Sequence, residues 1–359
     1  MQRLSPCRLS HAIATVLSFA ASFSAFGQVN VEVNDTNIEY VGRWDKSSRT
    51  IYHSYWGGAY LRLRFEGATV ALNEKTATAF RADIDGAGYG FFAGSAGSVN
   101  ITPKPLRSGI HVVTIVAAGE GEELQLRGVT LSPGATLLAP AIPDKPLIEF
   151  IGDSITCGLK TPDEEIQDYA WLVSERLSCN HTQISYSGIT LVDGYHYNYS
   201  GAPLRGQSYQ YFIMQEPNSP MRNVKWHFAN YTPRIVVINL GTNDGGIGVP
   251  GAIFETNYIS FLRNICATFP NTTVLALRTF YGYYATETRN AVNEVRNAGD
   301  KNVDYIDTTG WISSSPYGTN YDTYDGWHPT VAGHRKIAKL LAPVLSGYVP
   351  GASTLIRLP

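Results

Sequence analysis

Between Gln28 and about Leu131, apolar and polar positions alternate in short runs. "YLRLRFEG" (Tyr60 to Gly67), "AFRADIDG" (Ala79 to Gly86), "HVVTIVAAG" (His111 to Gly119) and "LQLRGVTL" (Leu124 to Leu131) have the period of two that puts successive side chains on opposite faces of a strand. Gly, Ser, Pro or acidic residues separate the runs and no helical periodicity intervenes. This half therefore predicts an antiparallel β-sandwich. "GAGYG" (Gly86 to Gly90) has glycines spaced loosely like a nucleotide-binding loop, but no helix follows it. Asp85-Gly86 reads instead as a hairpin turn.

"SPGATLLAPAIPDKP" (Ser132 to Pro146) has four prolines and no periodicity. It divides the chain into a sandwich (28–135), a linker (136–146) and a second domain (147–359). Strand-like runs beyond it are Leu147 to Asp153, Thr182 to Gly188, Arg234 to Gly241, Thr273 to Thr279 and Val303 to Asp307. "RIVVINL" is apolar almost throughout, as in a strand buried on both faces. Helical patterns fall at Asp168 to Leu177, Ile253 to Phe269, Thr286 to Ala298 and Val331 to Leu345. Alternating strands and helices predict an α/β fold, a parallel sheet in a three-layer α/β/α sandwich. Sites in such sheets form beyond the carboxyl ends of the strands.

The 359 residues carry a net charge of −2 with no basic block, which gives no footprint for nucleic acid or an anionic membrane. Arg3 and Arg8 precede the apolar run Ala12 to Phe26, and small residues follow, so residues 1–27 read as a secretory signal peptide. A secreted chain gives meaning to six Asn-x-Ser/Thr sequons at Asn34, Asn100, Asn180, Asn198, Asn230 and Asn271, read as N-glycosylation acceptors. Cys7 leaves with the leader. Cys157, Cys179 and Cys266 remain and allow at most one disulfide, whose pairing is open. No metal-ligand spacing stands out, and no cofactor or obligate protein partner is inferred.

Candidate chemistry lies where the topology directs attention. The first parallel strand ends on Gly152-Asp153-Ser154, the second on Ser187-Gly188 and the third on Gly241-Thr242-Asn243-Asp244. "YDGWHPTVAGH" precedes the last helix, with Asp325 and His328 three apart and Thr330 as its N-cap. Acyl transfer needs a nucleophile, a base, an orienter of the base and donors for the oxyanion. Ser154, His328 and Asp325 supply the first three. The Ser154 and Gly188 amides and the Asn243 side chain supply the donors. Asp153 and Asp244 read as acceptors that hold loops, and His334 as structural. Aromatics crowd the rim, with Tyr195, Tyr281 and Trp327 the candidates for stacking on a sugar.

These blocks, "GDS", Gly188, "GTND" and "DGWH" in that order, resemble those of the SGNH, or GDSL-type, hydrolases. "VGRW" (Val41 to Trp44) and "YWGGAYLRLRFEGATV" (Tyr55 to Val70) look like the opening strands of carbohydrate esterase family 2. That resemblance implies an amino-terminal jelly roll before an SGNH domain, Ser154 as nucleophile, His328 as base, and removal of acetyl groups from plant polysaccharides. Some members of that family orient the histidine by a backbone carbonyl, so the contribution of Asp325 stays open. Two other readings also remain at this point: a lipase or other acyl esterase with the same residues, and a non-catalytic carbohydrate-binding protein on the same scaffold.

Overall fold

The computed structural model describes residues 27–141, 145–219, 223–315 and 321–349. The expected leader, apart from Gly27, lies outside the described residues. The first half forms two antiparallel sheets. One runs Trp44–Asp45, Tyr52–Ser54, Gln125–Leu131, Val70–Glu74, Gly97–Asn100, and Val29–Glu32 also pairs with Gln125–Leu131. The other runs Thr136–Leu138, Tyr60–Glu66, Ile110–Ala117, Phe80–Ile84, Gly90–Phe92, with Glu39–Val41 on the outer side of Tyr60–Glu66. Alternation sends Leu61, Leu63, Phe65, Val113 and Ile115 from one sheet against Leu72, Val129 and Leu131 from the other. At Asp85 and Gly86 φ is 58° and 75°, and this turn joins two paired strands, so the glycines serve a hairpin.

The expected linker needs one correction. Thr136–Leu138 pairs antiparallel with Tyr60–Glu66, so the sandwich runs through Leu138. The surrounding prolines hid a strand too short to show alternation.

In the second half, five strands are all parallel in the order Asn180–Ser185, Leu147–Gly152, Ile235–Asn239, Thr273–Leu277, Val303–Ile306. Helices cover both faces. Val236 and Ile238 face Phe254, Phe261 and Ile265 of Gly251–Thr268 and Val292 of Ala285–Asn297. Ile235 and Val237, one residue out of phase, face Val173 of Tyr169–Leu177 and Ile337 and Leu341 of Val331–Ser346. Such two-sided burial explains the continuous apolar strand in the sequence.

The sandwich leans on the edge strand and first long helix of the parallel sheet. Trp171 meets Tyr60 and Tyr89 edge to face, with ring centres 5.4 and 5.6 Å apart. Arg43 of the sandwich is fully buried. Its guanidinium donates to the Tyr211 and Ile213 carbonyls, and the Tyr211 and Tyr231 hydroxyls donate to Glu149 on the first parallel strand. Asn180 lies in the same seam, its amide donating to Glu39 at 2.6 Å and its oxygen accepting from Tyr60. With this side chain buried, the sequon at Asn180 is closed to glycosylation in the folded protein. Cys157, Cys179 and Cys266 are free thiols, each buried separately, so no disulfide links them.

Candidate active site

Gly152 ends the first parallel strand, and a Cβ there would meet the Thr156 hydroxyl at 2.0 Å. The chain turns at once into the single helical turn Ser154–Cys157. Asp153 caps it, accepting the Ile155 N–H at 3.0 Å. Ser154, as the first helical residue, keeps its own N–H outside the helical bonds. Across the cleft, Asp325 Oδ1 accepts from the amides of Trp327 and His328 at 3.0 and 2.8 Å, which folds the Asp-Gly-Trp-His stretch into a local turn. The Thr330 hydroxyl then accepts the Gly333 N–H and starts the last helix. That local folding fixes the imidazole.

His328 Nδ1 lies 2.8 Å from Asp325 Oδ2, and His328 Nε2 lies 3.0 Å from Ser154 Oγ. An ionised carboxylate can only accept, so the proton sits on Nδ1 and leaves Nε2 free to accept from the serine. Burial works to raise the Asp325 pKa. The Lys160 ammonium 2.6 Å from Oδ2, the two amides and the imidazole outweigh it and hold the carboxyl below its usual range. Asp325 is therefore ionised wherever His328 can act as a base.

A cavity of about 260 Å³ opens above Ser154 and His328 and is lined also by Gly188, Asn243, Tyr197, Tyr199 and Trp327. Gly188 is the third residue of a turn closed by the Ile189 N–H on the Tyr186 carbonyl, and its φ of +77° is the type II arrangement that favours glycine. A Cβ there would meet the Tyr199 hydroxyl at 2.3 Å. Asn243, in the helix Thr242–Ile247, gives one N–H of its amide to the Ile189 carbonyl at 2.8 Å and so is tied to the same turn. Asp244 accepts from the Leu191 and Val192 amides. Burial pushes Asp153 up to about 7 and Asp244 up to about 6, against the pull of the amides they cap. Both hold loops. His334 is buried against Tyr169 and accepts its N–H at 3.2 Å.

Of the three rim aromatics, only Trp327 lines the cavity. Tyr195 closes a turn from Val192, after Gly194 at φ +84°, and its ring packs on the core beneath the site. Tyr197 and Tyr199 of the same run take the place expected for it. Tyr281 stands behind Trp327, edge to face at 5.7 Å, and donates its hydroxyl to the Trp327 carbonyl. Tyr283 stacks on Trp327 at 5.7 Å. Lys160 carried no sequence signal, since its partner arrives from 165 residues away along the chain. Among the described residues, no group of three or more His, Cys, Asp or Glu is disposed to hold a metal ion, and no helix is long and apolar enough to cross a membrane.

Residues 150–336, just over half of the chain, match the GDSL-like Lipase/Acylhydrolase family. The chain belongs to that family. Residues 40–141 also match the carbohydrate esterase 2 N-terminal domain. It is similar to the cellulase/esterase CelE of Acetivibrio thermocellus, 29% identical over 86% of this chain and 39% of that protein. It is also similar to an acetylxylan esterase / glucomannan deacetylase of Cellvibrio japonicus, 26% identical over 66% of this chain and 67% of that one. The chain thus spans about two-fifths of the length of CelE. A family two carbohydrate esterase from Clostridium thermocellum, solved with cellohexaose, superposes with a TM-score of 0.73 at 25% identity, over 86% of this chain and 98% of that one.

Proposed function

We propose that this protein is a secreted esterase that removes O-acetyl groups from plant cell-wall polysaccharide through an acyl-enzyme. The observation that carries the reading is the unbroken hydrogen-bond chain Asp325–His328–Ser154 opening onto a cavity bordered by Gly188 and Asn243. Ser154 Oγ attacks the acetyl carbonyl as His328 Nε2 takes its proton. The oxyanion is met by the Ser154 and Gly188 amides and the free N–H of Asn243. When the C–O bond to the sugar breaks, His328 returns the proton to the leaving sugar oxygen. Water then attacks the acyl-enzyme, gives a proton to the same nitrogen, and acetate leaves as Ser154 regains its hydrogen.

The small cavity favours a short acyl group. Ligand pockets commonly measure about 300–1,000 Å³, and this one holds about 260 Å³, with Tyr199 standing over Gly188. Trp327, 41% exposed and braced by two tyrosines, suits a neutral sugar face. The names of the similar proteins, an acetylxylan esterase / glucomannan deacetylase and an esterase seen with cellohexaose, support a β-linked glycan substrate. The leader-like amino terminus supports secretion. The test is acetate release from acetylated xylan, glucomannan and pectin, with a long-chain ester as control. Release from none of the three, with binding to them retained, would favour a non-catalytic carbohydrate-binding role, and a preference for the long-chain ester would make the protein a lipase.

A further inference from the structure

The sandwich reaches into the site. Strands Ile110–Ala117 and Gln125–Leu131 belong to different sheets, and the connection between them turns at Gly119-Glu120-Gly121. The Glu122 N–H closes that turn on the Gly119 carbonyl, and Gly121 has φ +81°. The tip fits tightly, since a Cβ on Gly119 would meet Glu164 Oε2 at 2.9 Å. From this tip the Glu120 carboxyl crosses to the parallel-sheet domain, where Oε2 accepts the Ser187 N–H at 2.6 Å. It also lies against the thiol of Cys157, in the helical turn that begins with Ser154. One side chain therefore meets both segments that carry the proposed oxyanion amides, one at a backbone N–H and the other at a side-chain thiol.

We infer that Glu120 is a positioning residue for the oxyanion hole, so that the amino-terminal sandwich completes the catalytic site. The inference rests on the proposed role of the Gly188 amide. In the turn Tyr186–Ile189, the Ser187–Gly188 peptide can rotate between type II and type I arrangements, which differ by a reversal of its N–H and C=O. Glu120 ties down the amide immediately before that peptide. The turn's closing bond, Ile189 N–H to the Tyr186 carbonyl, ties down the other end. Burial, with the Glu164 carboxyl nearby, raises the Glu120 pKa against the pull of its hydrogen bonds to Cys157 and Ser187, and either protonation state keeps an oxygen that can accept the Ser187 N–H.

The test compares Glu120→Ala and Glu120→Gln in the full-length protein. It measures kcat and KM on 4-nitrophenyl acetate, normalised to active sites by acyl burst, together with thermal unfolding. Glutamine keeps an oxygen acceptor at the same reach. The expected result is a roughly tenfold to hundredfold fall in kcat for the alanine variant at nearly unchanged KM, the scale of an ångström-level misplacement of a donor, with the glutamine variant close to wild type. Wild-type turnover in the alanine variant would overturn the inference. So would equal losses in both variants, or a loss seen only as fewer active sites and a lower melting temperature, which a simple strut between domains would give. Ser154→Ala in the same assay keeps the two readings apart. If it stays active, the nucleophile assignment fails, whereas a dead Ser154→Ala beside a fully active Glu120→Ala removes only the role of Glu120.

Discussion

Replacing Gly188 by alanine probes the proposed oxyanion hole through the backbone. At φ +77° a Cβ crowds its neighbouring carbonyl, at about 1–2 kcal/mol for an L-residue in the left-handed region. The added methyl would also meet the Tyr199 hydroxyl at 2.3 Å, but Tyr199 is 55% exposed and can turn outward. The variant should therefore fold, with a melting temperature lower by a few degrees, about 2–4 °C per kcal/mol for a domain of this size. The least costly relaxation is rotation of the Ser187–Gly188 peptide toward a type I turn, where residue 188 has negative φ. That rotation turns the residue-188 N–H away from the place where the oxyanion forms. Loss of one such donor reduces kcat by about 10²–10³, with KM little changed because the donor acts mainly on the transition state. Initial rates on 4-nitrophenyl acetate, with unfolding followed in parallel, measure both effects. The double variant Gly188→Ala/Tyr199→Ala separates ring from backbone, because it removes the clash and leaves the strained φ. Its kcat should stay low. Wild-type turnover in the single variant, or full recovery in the double, would refute the assignment of this amide.

Three further outcomes follow from the same geometry. Trp327→Ala should impair acetate release from acetylated xylan or glucomannan more than hydrolysis of the aryl ester, by the roughly 0.5–1.5 kcal/mol typical of an aromatic contact, and equal losses on both would argue against a sugar platform. Asp325→Ala removes the acceptor that fixes the Nδ1–H tautomer of His328, so kcat should fall by as much as about 10⁴, and a change of only a few fold would mean the turn alone orients the ring. For Asp153, the folded pKa of about 7 lies above the ordinary 3.8, so the fold favours the neutral acid and the wild type loses stability as pH rises from 4 through 7. Asp153→Asn does not titrate, so its stability relative to wild type should rise across that range, by at most about 4 kcal/mol, and then level off. A difference independent of pH between 5 and 8 would contradict the burial argument.

The fold was legible because its two halves follow different periods. Tyr60–Glu66 alternates and buries Leu61, Leu63 and Phe65 on one face, whereas Ile235–Asn239 is apolar throughout and is covered on both. Thr136–Leu138 escaped because three residues are too few to show a period. Ser154, His328 and Asp325 were legible because strand ends converge on one rim, and because an Asp-x-x-His turn folds locally. Lys160 and Glu120 were not, since each acts on a partner brought near only by tertiary packing, and Glu120 comes from the other domain. The tyrosines of "GYHYNYS" fell between. Their chemistry was visible, but the path of the loop was not, and it brings Tyr197 and Tyr199 to the cavity while Tyr195 packs on the core.

The central claim is that the Ser154 hydroxyl, 3.0 Å from the His328 imidazole, is the nucleophile. Treatment with a serine-directed alkyl phosphonate, followed by peptide mass mapping, tests it most directly. The account predicts one adduct, on Ser154, forming in step with loss of esterase activity and absent from Ser154→Ala. An unlabelled Ser154 in a fully inactivated enzyme, or hydrolysis at the wild-type rate by Ser154→Ala, would contradict it.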